Sequence, residues 1–202
     1  MAEFSQYGER SVLVQLGESP LGYLTEIQNL FPEAQIRPGL ESVVITFEDI
    51  ADHVQKVKSA FPTSASGKDF GTGKKIKISV EYSGEDLAQA AKAGEISVDE
   101  LIRIHQETIW QVALIGFAPG FPYLLPKTNQ DLFKMIGRLA SPRAKVPAGS
   151  VGLAAGMSCI YPQASPGGWH LIGITNTVLF DAAKANPSLL AIGDDLIFEA
   201  IS

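Results

Sequence analysis

The stretch between residues 116 and 173 reads GFAPGFPYL at 116–124, PRAKVPAGSVGLAAG at 142–156 and YPQASPGGWHLIG at 161–173. It holds about half of the 19 glycines and more than half of the 12 prolines, and residues 146–180 contain no Asp, Glu, Lys or Arg. Proline removes helix donors and glycine adds backbone entropy, so this stretch is neither one helix nor a membrane span. Its apolar residues argue against disorder. The pattern predicts tightly turned β-structure whose backbone comes close to another group.

The composition of the whole chain argues against several classes of protein. With 202 residues, 46% of them apolar, the chain suits one or two domains with a substantial core. A net charge of −6 argues against nucleic-acid binding, which favours a basic face. No apolar run reaches the roughly 18 residues of a membrane span, and residues 1–13 lack the apolar segment of a signal peptide. Because the single Cys159 has no internal disulfide partner, we expect a cytoplasmic protein.

The first seventy residues alternate strand and helix patterns. This order predicts a small two-layer α/β sandwich, with helices on one face of a sheet, over residues 1–72. The expected elements are a strand at 12–16, a helix begun by Ser19 and Pro20, a strand at 42–47 and a helix over 50–61 capped by Asp49.

A second pattern follows a linker at about 62–74, PTSASGKDFGTGK. Residues 76–82 alternate apolar and polar as in a half-buried strand. Helical patterns at 86–92 and 98–109 follow, the second opened by a capping box of Ser97 and Glu100. Short strands broken by turns then continue to residue 201. We therefore predict that residues 73–202 form a mainly β domain, a closed barrel with a helical insertion, in an α+β chain.

His105 and two arginines are candidates for chemistry. The spacing of His105 favours a core histidine bonded to a backbone carbonyl, whereas its titration near neutrality suits a general acid or base. Arg138 and Arg143 flank the turn at 137–147, either as solvated residues or as a planar clamp for a carboxylate or phosphate. We favour Arg143 as the clamp because Pro142 stiffens its turn.

Residues 147–150, Pro-Ala-Gly-Ser, have two interpretations. Successive N–H groups there would cup an anion, but the motif matches neither the phosphate loop nor the Gly-x-Ser-x-Gly elbow, and a plain hairpin turn is favoured. No acid–base partner can be assigned to Ser150 from the sequence.

Five aromatic residues lie among these glycines and prolines, either as core packing or as the wall of a pocket or partner anchor. They are Phe117, Phe121, Tyr123, Tyr161 and Trp169.

The remaining polar candidates are expected to be structural. We expect a solvated His170, since it alternates with Trp169 on a strand, an inert buried Cys159, and a turn at Asp194 and Asp195. Three histidines and one cysteine without ligand spacing predict no protein-built metal site. No complete catalytic set is visible, which suggests a site shared with another chain.

Four ordered blocks carry a resemblance to a known family. GFAPGFPYL, SPRAKVPAGSVGLAAG, IYPQASPGGW and LIGIT resemble the family of the 5-oxoprolinase B subunit, also named allophanate hydrolase subunit 1 and represented by a sporulation-kinase inhibitor. YGERSVLVQLG at 7–17 and LLAIGDDLIFEAI at 189–201 resemble its opening and closing strands, and His105 stands where the family carries a histidine.

The resemblance implies a small N-terminal α/β domain followed by a cyclophilin-like β-barrel. It also implies two partners, a homologous cyclophilin-like C subunit and a barrel-type A subunit. The implied reaction is ATP-dependent opening of 5-oxo-L-proline to L-glutamate, with ATP and Mg used by the assembled complex, none tightly bound to this chain, and no activity of this chain alone. The alternatives are an inhibitor of a sensor histidine kinase and a subunit of a urea- or allophanate-degrading hydrolase.

The resemblance also suggests residue roles. Phosphorylation of an amide oxygen needs donors for phosphoryl oxygens and a carboxylate clamp. On motif position, His105 and Arg143 are the expected catalytic residues. The expected ligand contacts are Gly149, Ser150, Phe117, Tyr123, Tyr161 and Trp169, with no metal ligands. The chain has Gly-Ile-Thr at 173–175 and Gly-Asp-Asp at 193–195, where the family often has Gly-Arg-Thr and Gly-Asp-Arg, which is compatible with a subunit that mainly assembles or gates a complex.

Overall fold

The computed structural model describes residues 2–49, 51–65 and 73–201. It divides the chain into two compact units, Met1–Thr72 and Gly73–Ser202. Residues 66–72 of the predicted linker and Ile50 of the predicted second helix lie outside the described residues.

The first unit is a four-stranded antiparallel sheet with two helices. Val12 pairs with Ile45 and Val14 with Val43, and all four side chains are buried on one face. The helix at Leu21–Leu30 contacts the strand at Gln35–Pro38, and the helix at Val54–Ala60 contacts the strand at Glu3–Tyr7, which gives the predicted two layers. The elements are β1 Glu3–Tyr7, β2 Ser11–Gln15, α1 Leu21–Leu30, β3 Gln35–Pro38, β4 Ser42–Thr46 and α2 Val54–Ala60, in the sheet order β1-β2-β4-β3.

Both predicted helix caps of this unit are wrong. Helix α1 begins at Leu21, one residue later than expected, with Pro20 in the N-cap position, and the Ser19 hydroxyl makes no cap bond among the described residues. At the second helix, Asp52 Oδ1 accepts from Val54 N at 2.9 Å, because a carboxylate two residues back reaches the first free amide. Asp49 lies too far upstream for that bond.

The second unit contains a seven-stranded, nearly closed barrel, which confirms the α+β expectation. The sheet order is β12-β9-β10-β7-β6-β13-β5, and a bridge between Glu81 and Ile174 brings its two ends together. Strands β8 and β11 pair separately; we call them the β8–β11 ribbon. The elements are β5 Lys75–Val80, α3 Leu87–Ala93, α4 Val98–Glu107, β6 Trp110–Ile115, β7 Pro122–Pro126, α5 Gln130–Met135, β8 Arg143–Val146, β9 Ser150–Ala154, β10 Met157–Ile160, β11 Ser165–Gly167, β12 His170–Ile174 and β13 Asp195–Ala200.

The barrel explains the absence of charged residues from the strands of the uncharged run at 146–180. Every residue of β9 and β10 is buried, so both faces of these strands are covered and neither tolerates an unpaired charge. The same covering buries β12 up to Gly173. Trp169 and His170 are therefore both buried, and the predicted solvated His170 is wrong.

Helix α4 shows half of the predicted capping box. Ser97 Oγ accepts from Glu100 N at 3.2 Å, but the Glu100 carboxylate binds Arg103 instead of returning to the Ser97 amide. Among the described residues, no helix has the length and apolar character needed to cross a bilayer.

Candidate functional site

An open pocket of about 230 Å³ lies between the β6–β7 loop and the β8–β11 ribbon. We call it the aromatic pocket, because five ring side chains and one arginine make up most of its lining: Phe117, Phe121, Tyr123, Tyr161, Trp169 and Arg138. Four of these are ligand contacts expected from the sequence. Phe121, which the sequence offered as core packing or pocket wall, and Arg138, which it offered as a clamp but ranked below Arg143, join them.

Phe121 organises the rings of the pocket. Its ring centroid lies 5.4 Å from that of Phe117, 5.1 Å from Tyr123, 5.1 Å from Tyr161 and 6.4 Å from Trp169. Edge-to-face arrangements at these distances are favourable for aromatic pairs. Burial raises the pKa of Tyr123 and of Tyr161, so both phenols remain protonated hydrogen-bond donors near neutrality.

Backbone approaches the rings closely on the ribbon side. A Cβ placed on Gly167 would lie within 2.1 Å of the Tyr161 hydroxyl, so only glycine fits there. Gly167, Gly168 and the prolines 142 and 166 complete this wall. The close approach predicted from the glycine- and proline-rich stretch is thus largely an approach to other parts of the same chain.

Phe117 stands at the rim of the pocket in an unusual conformation. Its φ is 71° and the residue is 66% exposed. A turn holds it there, with Gly116 N donating to Phe121 O at 3.1 Å and Phe121 N donating to Ala118 O at 3.0 Å. A left-handed backbone costs a bulky residue about 1–3 kcal/mol, and such strain is frequent at functional sites.

Arg138 supplies the charge of the pocket. Its guanidinium carbon lies 5.9 Å from the Trp169 ring centroid, and the residue is exposed. Within the described part of the chain, Arg138 makes no ion pair, and no acidic residue lines the pocket. Its charge partly offsets the burial-driven rise in the pKa of Tyr123 and Tyr161, so it acts on the pocket interior.

Arg143, the favoured clamp, does not line the pocket. Its Nε lies 2.8 Å from Glu85 Oε1, and its Nη2 donates to Asp86 Oδ1 at 2.6 Å. Asp86 Oδ2 also accepts from Leu171 N at 2.7 Å. The hydrogen bond to Asp86 is the main reason that the pKa of Arg143 is raised. This guanidinium fastens the β8–β11 ribbon to the start of α3 and to β12.

His105 lies in the barrel core and does not line the pocket. Its Nδ1 lies 2.8 Å from Tyr82 OH and its Nε2 lies 3.2 Å from Ser158 Oγ, so its partners are hydroxyls and not the expected backbone carbonyl. The imidazole stacks on Phe198 at 4.4 Å. Complete burial lowers its pKa to about 3, so the ring is neutral. Of the two interpretations offered by the sequence, a core histidine and a general acid or base, the first agrees with this buried position of His105.

Residues 147–150 form a β-turn, but the predicted hairpin turn is wrong, because the flanking strands β8 and β9 pair with other strands and not with each other. Gly149 has φ 81° and its N donates to Tyr161 O at 2.7 Å, while Ser150 N donates to Pro147 O at 3.4 Å. Because both N–H groups are already used and Ser150 is buried, these residues do not fit a phosphate or ATP. Asp194 likewise accepts from the amides of Lys74 and Ala191, and no group of three or more potential metal ligands occurs in the described ranges.

Comparisons with known proteins give a consistent family. A family model described as carboxyltransferase domain, subdomain C and D, matches residues 2–190. The B subunit of 5-oxoprolinase from Haemophilus influenzae is 45% identical over 131 residues, which cover 62% of this chain and 59% of that relative. The chain therefore spans less than two thirds of the length of the relative it matches.

Solved structures extend the comparison. A conserved uncharacterized protein from Pyrococcus horikoshii has a TM-score of 0.60 at 28% identity, covering 99% of this chain and 98% of that one. The urea amidolyase of K. lactis has a TM-score of 0.76 at 19% identity, covering all of this chain and 15% of that one. At that identity the second similarity concerns the fold alone.

Proposed function

The chain belongs to the carboxyltransferase domain, subdomain C and D, family, and from this premise we propose that it is a non-autonomous subunit of an ATP-dependent 5-oxoprolinase. Relatives at 42–45% identity are named as the B subunit of 5-oxoprolinase, which supports the choice of reaction. The observation that carries the proposal within this chain is the aromatic pocket, since it gathers the expected ligand contacts Phe117, Tyr123, Tyr161 and Trp169 around the Arg138 guanidinium.

The pocket is built for binding and lacks groups for proton transfer. Its lining contains no carboxylate, imidazole, amine or thiol among the described residues, and burial raises the pKa of both phenols further above the ordinary tyrosine value of about 10. General acid–base catalysis near neutrality needs a group whose pKa lies close to the working pH. This chain therefore supplies a wall that holds the substrate, and the groups that move protons come from a partner subunit.

ATP, with Mg, is assigned to the assembled complex and not to this chain. The amides of Gly149 and Ser150 are already bonded, and Arg143 is committed to Glu85 and Asp86. A phosphate site needs free donors and unpaired cations. We propose that a homologous cyclophilin-like C subunit and a barrel-type A subunit provide them.

Reconstitution tests the proposed function. The chain is co-expressed with candidate C and A subunits from the same genome, purified as a complex, and assayed for ADP release with and without 5-oxoproline and for glutamate formation. We expect ADP release to depend on 5-oxoproline, and neither product to form with this chain alone. A stable complex whose ADP release ignores 5-oxoproline contradicts the proposal, and stimulation by allophanate instead replaces it with a urea-degrading role.

A further inference from the structure

We propose that the aromatic pocket binds a small ring compound with a single carboxylate, and that Arg138 is the residue that anchors this carboxylate. The inference deepens the proposed function and rests on it only for the choice of 5-oxoproline as the first probe.

Arg138 differs from the other arginines of the barrel unit in its pairing. Arg103 binds Glu100 and Glu107 on the surface of α4, and Arg143 binds Glu85 and Asp86. Arg138 has no carboxylate partner in the described ranges, although it sits at a cavity. A guanidinium offers a planar set of donors that matches a carboxylate in two parallel hydrogen bonds. An unpaired guanidinium beside a concave surface is therefore equipped to take its carboxylate from a ligand.

The charge balance selects an anion over a cation. Clusters of aromatic rings often bind cations through their electron-rich faces. Here the Arg138 guanidinium already lies 5.9 Å from the Trp169 ring centroid, and no acidic side chain of the described lining offsets a second positive charge. The Arg138 guanidinium would repel a ligand cation, whereas it would form hydrogen bonds with a ligand carboxylate.

The size and the walls of the pocket favour a small ring. Drug-sized ligands occupy roughly 300–1,000 Å³, and this pocket offers about 230 Å³. Ring side chains and bare glycine backbone at Gly167 and Gly168 allow a flat ligand to approach closely. The protonated hydroxyls of Tyr123 and Tyr161 suit a ring carbonyl as acceptor.

Calorimetric titration tests the anchor on the full chain and on the reconstituted complex. The probes are 5-oxoproline, 2-pyrrolidinone, which lacks the carboxylate, proline, which adds an ammonium group, and 2-furoate, an unrelated ring carboxylate. We expect 5-oxoproline to bind at least about tenfold more tightly than 2-pyrrolidinone, which is the value of one charge-assisted hydrogen-bond pair. It should also bind more tightly than proline, which keeps the carboxylate but carries an ammonium group and lacks the ring carbonyl.

Substitutions at Arg138 assign the effect to that side chain. Arg138→Gln should weaken carboxylate binding at least about tenfold and bring it to the level of 2-pyrrolidinone, while Arg138→Lys should keep part of it. Arg103→Gln is the matched control, because it removes an exposed arginine outside the pocket and should change nothing. Equal binding of the acid and 2-pyrrolidinone, or no saturable binding of any ring carboxylate to chain or complex, overturns the inference.

The two proposals fail in different ways. If 2-furoate binds in an Arg138-dependent manner and 5-oxoproline does not, the anchor stands and the proposed substrate is wrong. If the complex hydrolyses 5-oxoproline and Arg138→Gln leaves its KM and kcat unchanged, the proposed function stands and the anchor is wrong. An anchor in this role should raise KM at least about tenfold when it is replaced.

Discussion

The aromatic pocket and the His105 cluster are made from similar residue types, but the pocket is open to the surface and the cluster lies in the barrel core. The cluster joins His105 to Tyr82 and Ser158, with Trp110 Nε1 donating to the His105 carbonyl at 3.0 Å, and it is sealed in the barrel core. The pocket opens to the surface and leaves Arg138 without a carboxylate among the described residues. A site is thus recognised less by its residue types than by which polar groups the fold leaves without partners.

Of the changes considered, removal of the Trp110 side chain should destabilise the barrel core most. Its ring is fully buried and packs on Phe133 at 4.7 Å and on His105 at 5.0 Å. Trp110→Ala should lower the free energy of unfolding by about 3–5 kcal/mol, because it leaves a large cavity and an unpaired carbonyl. Urea unfolding followed by circular dichroism measures this loss.

Trp110→Phe is the control for the cavity, since it keeps a ring and should cost less than Trp110→Ala. At low temperature, where Trp110→Ala remains folded, its affinity for pocket ligands should equal that of the unaltered chain. A loss of stability below about 1 kcal/mol would show that the core does not depend on this cluster.

The sequence predicts the aromatic pocket better than the pairing of its neighbouring arginines. Composition marks Phe117, Tyr123, Tyr161 and Trp169 as one group, because all four lie in the same glycine- and proline-rich stretch, although they are far apart in the chain. No local pattern shows that Asp86 would pair with Arg143, 57 positions away in the chain. The choice between Arg143 and Arg138 therefore required the tertiary structure.

Some strands of the fold also could not be predicted from local sequence patterns. The alternation in β2 and β4 and the periodicity of α4 are visible in the sequence, whereas β1 and β3 are mostly polar and were not predicted. Pairing with neighbouring strands defines these two elements, and such long-range hydrogen bonds leave little local signal.

The Arg143–Asp86 pair is less buried than His105 and less exposed than Arg138. Its removal should loosen the wall of the aromatic pocket. Asp86→Ala leaves the buried Leu171 amide without an acceptor and Arg143 with Glu85 as its remaining carboxylate, so it should lower the free energy of unfolding by about 2–3 kcal/mol. It should also weaken ligand binding, because the β8–β11 ribbon loses a tether. Chemical unfolding and the same calorimetric titration measure both effects.

Glu85→Gln is the matched control for this pair. The Glu85 side chain is 64% exposed, and a surface ion pair contributes little, so the loss should stay below about 1 kcal/mol. Equal losses for Asp86→Ala and Glu85→Gln would contradict the distinction between the buried and the exposed carboxylate.

The neutral His105 should make stability depend on pH. Burial lowers its pKa to about 3 in the folded chain, against about 6.5 when unfolded. Below pH 6.5 the unfolded state binds a proton that the folded state does not, so the contribution is full above 6.5 and falls as pH drops towards 3. From pH 7 to pH 5 we expect a loss of about 2 kcal/mol from this group.

His105→Gln separates this effect from other groups. Burial also lowers the pKa of His170, which adds to the pH dependence in the same direction. The difference in the pH slope of unfolding free energy between the unaltered chain and His105→Gln therefore reports His105 alone. Identical slopes between pH 7 and pH 5 would mean that the folded chain protonates His105 as readily as the unfolded chain.

The smallest effect on stability should come from the rim of the pocket. Phe117 is mostly exposed and has φ 71°, so Phe117→Gly relieves backbone strain and should leave stability unchanged or raise it by up to about 1 kcal/mol. Tyr7→Gly is the matched control: Tyr7 is 58% exposed in strand β1, where glycine should cost about 0.5–1 kcal/mol. Thermal unfolding of both variants gives the comparison. If Phe117→Gly also weakens ligand binding, or assembly with the C subunit that we propose as a partner, Phe117 serves the pocket, in contrast to the sealed cluster, where each ring serves stability. A loss of stability like that of Tyr7→Gly, with binding and assembly intact, would make Phe117 an ordinary surface residue.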